Sequence, residues 1–417
     1  MSDIIDKNTT TDTTVAGTQA SSVEVPSYAQ RQTFGQLLRN DLGFIPVMLT
    51  LVAIAIYFEI STQGIFLEPR NLSELLQQIA TIGVDALGVT LVLLLGEIDL
   101  SVAAVTTLCS VVMGVLSARV GLPAGVAILV GILAGALVGF INGFFIAVIR
   151  IPSFIVTLAA AIGYTGLLLN LLGGQSTLII HDNVINAISG SATSYLTDAV
   201  GVGLPTLIVL IYAGLVIYDQ VNRRRTGLRV KSMPQLVGQI GLVAVIVEGA
   251  VILFENYNGV PNSTAILFSL ILIVWIVLTK TTFGRHIYAV GGNIEAARRA
   301  GINVVFIRVT VFTLCSALAG VGGILAASHG NAVASQVDNL LLLDAIAAAV
   351  IGGVSLFGGR GSVWSIVLGA LIIGSLENGL NLKSQGSDVK QMIEGAVLLL
   401  AVTVDALVRR AQQRTGR

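Results

Sequence analysis

Seven carboxylates lie inside or at the ends of strongly apolar runs: Asp85, Glu97, Asp99, Glu248, Asp344, Glu377 and Glu394. A carboxylate held in hydrocarbon costs about 2.5–3.5 kcal/mol on insertion scales, so each is a candidate for work in a membrane pathway. Glu97 and Asp99 are two apart and follow Gly96. On a continuous helix they would point to opposite sides, so a helix break at Gly96 is expected. Asp99 or Ser101 can then cap the next helix. Alternatively, Glu97 or Asp99 lines a break that faces a cavity, as half-helices do in transporters. Asn142, Asn170 and Asn378 also sit inside or near the ends of apolar runs. Scattered amides suit a neutral solute rich in hydroxyls. They serve equally as interhelical hydrogen bonds, worth about 0.6 kcal/mol on average. The tentative pathway set is Glu97, Asp99, Asn142, Asn170, Asp344 and Asn378, with no aromatic cage to make a high-affinity site.

Other chemistries lack their residues. Cys109 and Cys315 both lie in apolar runs, which excludes a disulfide framework and a CxxC site. His181, His286 and His329 are far apart, without metal-ligand spacing. The chain contains no Gly-Lys dipeptide and hence no phosphate-binding GxxxxGK[ST] loop. Gly358-Gly-Arg-Gly361 lacks the strand-turn-helix setting of a dinucleotide fingerprint. With no Ser/His/Asp set either, no catalytic residue, metal or bound cofactor is expected.

The elements that hold these residues are membrane helices. Of 417 residues, 54% are hydrophobic and 11% charged, against about 25% charged in an ordinary soluble domain. A soluble globule with a mean hydropathy of +0.89 would expose large apolar patches. The expected fold is all-α, a polytopic transmembrane helix bundle. Crossing the hydrocarbon takes about 20 apolar residues. Runs near that length are 43–63, 77–96, 100–119, 123–149, 152–172, 201–219, 236–254, 262–279, 306–327, 341–357, 362–381 and 391–408. The run at 341–357 is short and broken by glycines, so it is open to being re-entrant, and ten to twelve membrane segments are expected. Gly131, Gly135, Gly139 and Gly143 recur every fourth position and give the 123–149 helix a smooth face for close packing.

Residues 1–42 are polar, with no apolar core of a signal peptide. They read as a disordered cytoplasmic tail, followed by the membrane domain 43–408 and a basic cytoplasmic tail 409–417. With the N-terminus inside and twelve crossings, only Arg70, Arg119, Lys383 and Lys390 of the 23 Lys and Arg residues fall outside. The positive-inside bias therefore puts both termini in the cytoplasm. Two polar outer segments, 173–200 and 328–340, are either plain connections or a docking surface for a soluble partner.

The stretch between the 262–279 and 306–327 runs is the most informative. Gly291 and Gly292 are expected to break the chain, and Asn293 is a good N-cap. Glu295 in the first turn, and Arg298 and Arg299 in the last, suit the helix dipole. Gly301 is a good C-terminal stop. The predicted helix, Ile294–Ala300, is roughly 10 Å long and too short to stand alone in water. It must pack on the protein's own membrane face or be presented to a cytoplasmic partner.

Gly291–Ile302 resembles the cytoplasmic coupling helix of ABC importer permeases of the ribose/xylose/galactose class, with its G-G-N-x-E-A-A-R-x-x-G-I signature. Gly96–Val102, Pro152–Leu158 and the glycine-rich block Leu343–Leu356 with Gly358–Ser362 match other motifs of that class. The basic loop Arg223–Lys231 and the extra run 236–254 resemble the longer D-xylose permeases. The resemblance spans about 43–408 and implies a bacterial inner-membrane, multi-pass permease subunit. It also implies a separate cytoplasmic ABC ATPase, an extracytoplasmic sugar-binding protein and a second permease copy in a homodimer. Asn293, Glu295, Ala296, Ala297, Arg298, Arg299 and Gly301 would form the ATPase-coupling segment. Lipid is the surrounding partner, and no nucleic-acid partner is expected. An ion-coupled secondary sugar transporter would explain the carboxylates but not the capped helix. A membrane enzyme lacks a catalytic set.

Overall fold

Backbone groups have no water to bond in lipid, so an apolar run must satisfy them internally, and each of the twelve runs contributes a helix. The computed structural model describes residues 44–190, 194–228 and 230–414. The order is α1 (Phe44–Ser61), α2 (Pro69–Leu94), α3 (Val102–Ala118), α4 (Ala124–Ala147), α5 (Ser153–Leu172), β1 (Thr177–Ile179) and α6 (Asn183–Asn186). Then come α7 (Asp198–Arg225), α8 (Met233–Glu255), α9 (Asn262–Lys280), α10 (Thr282–Gly292) and α11 (Ile294–Arg299). The chain ends with α12 (Val304–Gly330), β2 (Ala332–Ala334), α13 (Asn339–Ile351), α14 (Ser365–Leu382) and α15 (Ser387–Arg414). The expected tail 1–42 lies outside the described residues. The expected tail 409–417 is helical through Arg414, as the end of α15.

Among the described residues, eight helices are long and apolar enough to cross a membrane: α2, α4, α5, α7, α8, α9, α12 and α14. Most of α1, together with α3 and α13, is apolar but shorter. The connections gather at two ends. At one, Gly359 N–H donates to Leu94 O at 2.9 Å, Arg308 pairs with Glu97, and Ile98 N–H donates to Ser153 Oγ at 3.4 Å. This end also carries Arg150 and Arg360 in sequence and is called the basic end. At the opposite end β1 and β2 pair antiparallel, and Leu196 N–H donates to Val260 O at 2.9 Å.

The run 341–357 is helical only to Ile351. α13 begins five residues after β2, and the chain then turns at Gly353 (φ +91°) and reaches Leu94 at the basic end. It therefore passes from one end to the other and is not re-entrant. α2 is the central helix, with 83% of its most apolar window buried, and it packs against α9, α12, α13 and α14. α7 and α8 form a peripheral hairpin, and only 11% of the most apolar window of each is buried. Polar bonds join them: Thr206 Oγ1 donates to Glu248 at 3.2 Å, and Gln239 donates to Tyr212 Oη at 2.7 Å. Glu248 thus has a structural partner.

The glycine stripe of α4 packs closely as expected, against α3 at Gly131 and against α12 at Gly135, Gly139 and Gly143. A Cβ at Gly139 would collide with the Phe312 carbonyl, and one at Gly143 would lie 2.9 Å from Val309 Cα. Gly125, on the same helix, faces open space. Gly139→Leu should destabilise the protein by about 1–3 kcal/mol through overpacking, whereas Gly125→Leu should be neutral. Melting of the purified variants checks this, and equal melting temperatures would refute the close α4–α12 contact.

Candidate coupling surface and buried polar networks

The segment after α9 departs from expectation first. Gly291 and Gly292 do not break the chain, because α10 runs through both of them. Thr281 Oγ1 accepts from Gly284 N–H at 3.2 Å and caps α10, whose Gly284, Ile287 and Val290 face inward. That inward spacing of three residues was a legible helix signal, masked by the glycines. The break comes at Asn293, in extended backbone (φ −161°, ψ 103°).

α11 then spans six residues, ending one earlier than predicted. Asn293 Oδ1 accepts from Ala296 N–H at 2.9 Å, and Glu295 and Arg298 form an exposed ion pair at 2.9 Å. Gly301 has φ +82°, and its N–H donates to Arg298 O at 3.0 Å while Ile302 N–H donates to Ala297 O at 3.1 Å. These bonds close the helix with a glycine in the left-handed region. The two alanines separate. Ala297 is 4% exposed and belongs to the protein's own core, so it cannot meet a partner as the sequence suggested. Ala296 faces outward, together with Asn293, Glu295, Arg298, Arg299 and Gly301. One face of α11 packs on the protein and the other is presented to solvent.

The break between α2 and α3 holds two distinct carboxylates. Gly96 (φ +76°) turns the chain. Glu97 pairs with Arg308 of α12, and the two side chains are 16% and 17% exposed. Glu97 is thus an ion-pair partner at the basic end. Arg308 is a residue that sequence reading did not single out. Asp99 is 4% exposed and accepts from Ser101 Oγ at 2.6 Å and Ser101 N–H at 2.9 Å. Neither residue caps α3 by its side chain: Ser101 holds the N-cap position, but its hydroxyl is committed to Asp99. Asn142 Nδ2 donates to Ser101 Oγ at 3.2 Å, and Tyr164 Oη donates to Asn142 Oδ1 at 2.7 Å. A polar chain Tyr164–Asn142–Ser101–Asp99 therefore crosses from α5 through α4 to the head of α3. Asp85, wholly buried on α2, accepts from Thr106 Oγ1 at 3.3 Å.

Asn378 of α14 lies elsewhere, bonded to Asn71 at 2.9 Å and Gln78 at 3.3 Å on α2. Asp344 of α13 is 6% exposed, and Glu377 and Glu394 are within electrostatic reach of it. Asn170 is exposed near the end of α5. The six tentative pathway residues are thus spread over separate places, with only Asp99 and Asn142 in one network. A crevice between α2, α9 and α14, lined by Leu76, Ile79, Leu267, Ile271 and Ala370, is apolar and offers little to a hydroxyl-rich solute. Among the described residues, no group of three or more side chains could hold a metal ion.

At the opposite end the two polar segments join. Thr177, Leu178 and Ile179 pair with Ala334, Val333 and Ala332. Ser189 N–H donates to Ser328 Oγ at 2.8 Å, and Ile180 N–H to Asn331 O at 2.9 Å. Arg119 closes α5 by donating to the carbonyls of Leu171 and Leu172 at 2.8 and 2.6 Å. The described parts of 173–200 thus form one cap with 328–340.

Comparison with known proteins places this architecture. Residues 71–402 match the family described as branched-chain amino acid transport system / permease component. The chain is 36% identical over 377 residues to the xylose transport system permease protein XylH of Escherichia coli, covering 90% of this chain and 95% of the relative. It is 33% identical over 340 residues to the ribose import permease protein RbsC of Bacillus subtilis, covering 82% and 86%. It is 29% identical over 395 residues to the fructose import permease protein FrcC of Rhizobium meliloti, covering 94% of each. No solved structure matches.

Proposed function

The chain belongs to the permease-component family of the branched-chain amino acid transport type, and from that membership we propose how it works. It is the multi-pass membrane subunit of an ABC-type sugar importer and not an enzyme, with ATP hydrolysis on a separate subunit. The sugar is a monosaccharide, D-xylose, delivered by an external binding protein and moved by a homodimer of this chain. One observation carries the choice of sugar: 36% identity to a xylose permease along 90% of the chain. The relatives named for ribose and fructose match at lower identity.

Geometry supports the division of labour. The basic end presents the outer face of α11, which suits a cleft on a cytoplasmic ATPase. The cap built from β1, β2 and their flanks suits the soluble binding protein on the other side. Both termini then lie in the cytoplasm, in keeping with the Lys and Arg bias. The buried polar residues are arranged for passage and packing; there is no evident tight site among them.

In proteoliposomes, ATP-driven uptake of labelled D-xylose should require the ATPase and the binding protein together, with ribose and fructose at least tenfold poorer. Uptake driven by a proton or sodium gradient without ATP would replace this reading with a secondary transporter. Equal uptake of the three sugars would remove the assignment to xylose and leave the importer.

A further inference from the structure

Behind α11, three glycine-bearing segments meet with no side chain between them. Gly291 of α10 lies so close to the end of α2 that a Cβ there would collide with the Leu94 carbonyl oxygen and sit 2.8 Å from Gly359 N. Gly359 N–H donates to that same Leu94 O at 2.9 Å. A Cβ at Gly358 would sit 2.8 Å from both Gly291 O and Gly96 N. Gly96, Gly358 and Gly359 all have positive φ, at +76°, +85° and +73°, a region where side chains are strained. The contact is fastened on two sides. Tyr288 of α10 donates from Oη to Gly361 O at 3.0 Å, and Arg308 pairs with Glu97.

We propose that this glycine junction carries the motion of the coupling helix into α2, in addition to the two helices that flank α11 in sequence. The proposal rests on the importer reading and names its internal route. Side chains absorb small displacements by changing rotamer. Backbone pressed on backbone cannot, so a shift of α10 must move Leu94 and the 357–361 turn or open the junction. α2 is the right receiver, because it touches α9, α12, α13 and α14 at once. The junction also joins two connections at the basic end, since 95–101 follows α2 and 352–361 follows α13.

Adjacency alone does not establish coupling, and the structure supplies its own control. Gly291 and Gly292 are neighbours at the end of α10, but a Cβ at Gly292 meets nothing within 4 Å. In proteoliposomes with the ATPase, the binding protein and labelled D-xylose, Gly291→Ala should bind the ATPase like the parent and lose at least tenfold of ATP-driven uptake. Gly292→Ala should stay within twofold of the parent. Uptake by Gly291→Ala within twofold of the parent, or equal losses in both variants, overturns the junction. A second measurement needs no variant. Hydrogen exchange of the parent complex, with and without nucleotide, should change in peptides covering 92–97 and 357–361 together with 294–301. A change confined to 294–301 overturns the proposal even if Gly291→Ala does not reach the membrane. A parent that neither binds the ATPase nor moves sugar on ATP sinks the importer reading itself, a result distinct from either failure above.

Discussion

An Ala296→Arg permease should reach the membrane folded, fail to retain the ATPase and lose at least a hundredfold of ATP-driven uptake. Ala296 sits on the outward face of a six-residue helix, between the exposed Asn293 cap and the Glu295–Arg298 pair. Its methyl group permits close approach of a partner surface. A guanidinium there must either hold that surface away or be buried unpaired, and a hundredfold loss corresponds to about 2.7 kcal/mol. A well-packed residue at the centre of an interface commonly carries that much. The neighbouring alanine separates partner loss from misfolding. Ala297 is in the permease's own core, so Ala297→Arg should lower the amount of folded protein in the membrane. Copurification of the ATPase, set against membrane abundance, reads the two apart. If Ala296→Arg retains the ATPase and its uptake, α11 is no docking element.

That the two alanines differ was not visible in the sequence, and the reason is physical. α11 is too short to repeat a pattern: Ile294 and Ala297 share its packed face three residues apart, and one such pair carries little information about which alanine points inward. Length and hydropathy carry a great deal, because unpaired backbone is excluded from lipid. Thus all twelve apolar runs were legible as helices, and Asn293, Glu295, Arg298, Arg299 and Gly301 marked α11 to within a residue. Contacts between distant segments were not legible. Nothing local says that Glu97 faces Arg308, that Ser101 serves Asp99 instead of capping α3, or that 173–200 pairs with 328–340. The glycines misled in one place for the same reason. Gly291 reads as a helix breaker in isolation, but its missing Cβ is required by Leu94, nearly two hundred residues away in sequence.

Glu97→Arg and Arg308→Glu should each abolish most coupled uptake, and the double exchange should recover it to within a few fold of the parent. The pair links the end of α2 to the second turn of α12, beside the segment that α11 occupies. Breaking a buried ion pair by removing one partner typically costs 3–5 kcal/mol. Here about a sixth of each side chain is exposed, so roughly 2–3 kcal/mol is the reasonable scale, with less screening by salt than a surface pair suffers. A like-charge pair at this position is worse than a missing one, because two charges of one sign share a mostly buried site. The single reversals should therefore displace α2 from α12 and slow transport at least tenfold, in permease that is still present in the membrane. Exchanging both restores opposite charges across the same gap, which a pathway role for Glu97 would not tolerate. A residue that touched the sugar would need its carboxylate on α2's end, and the exchange puts it on α12. Uptake by the double variant, normalised to membrane abundance, decides between them. Full recovery assigns the pair to positioning; a double variant no better than the worse single one returns Glu97 to the pathway.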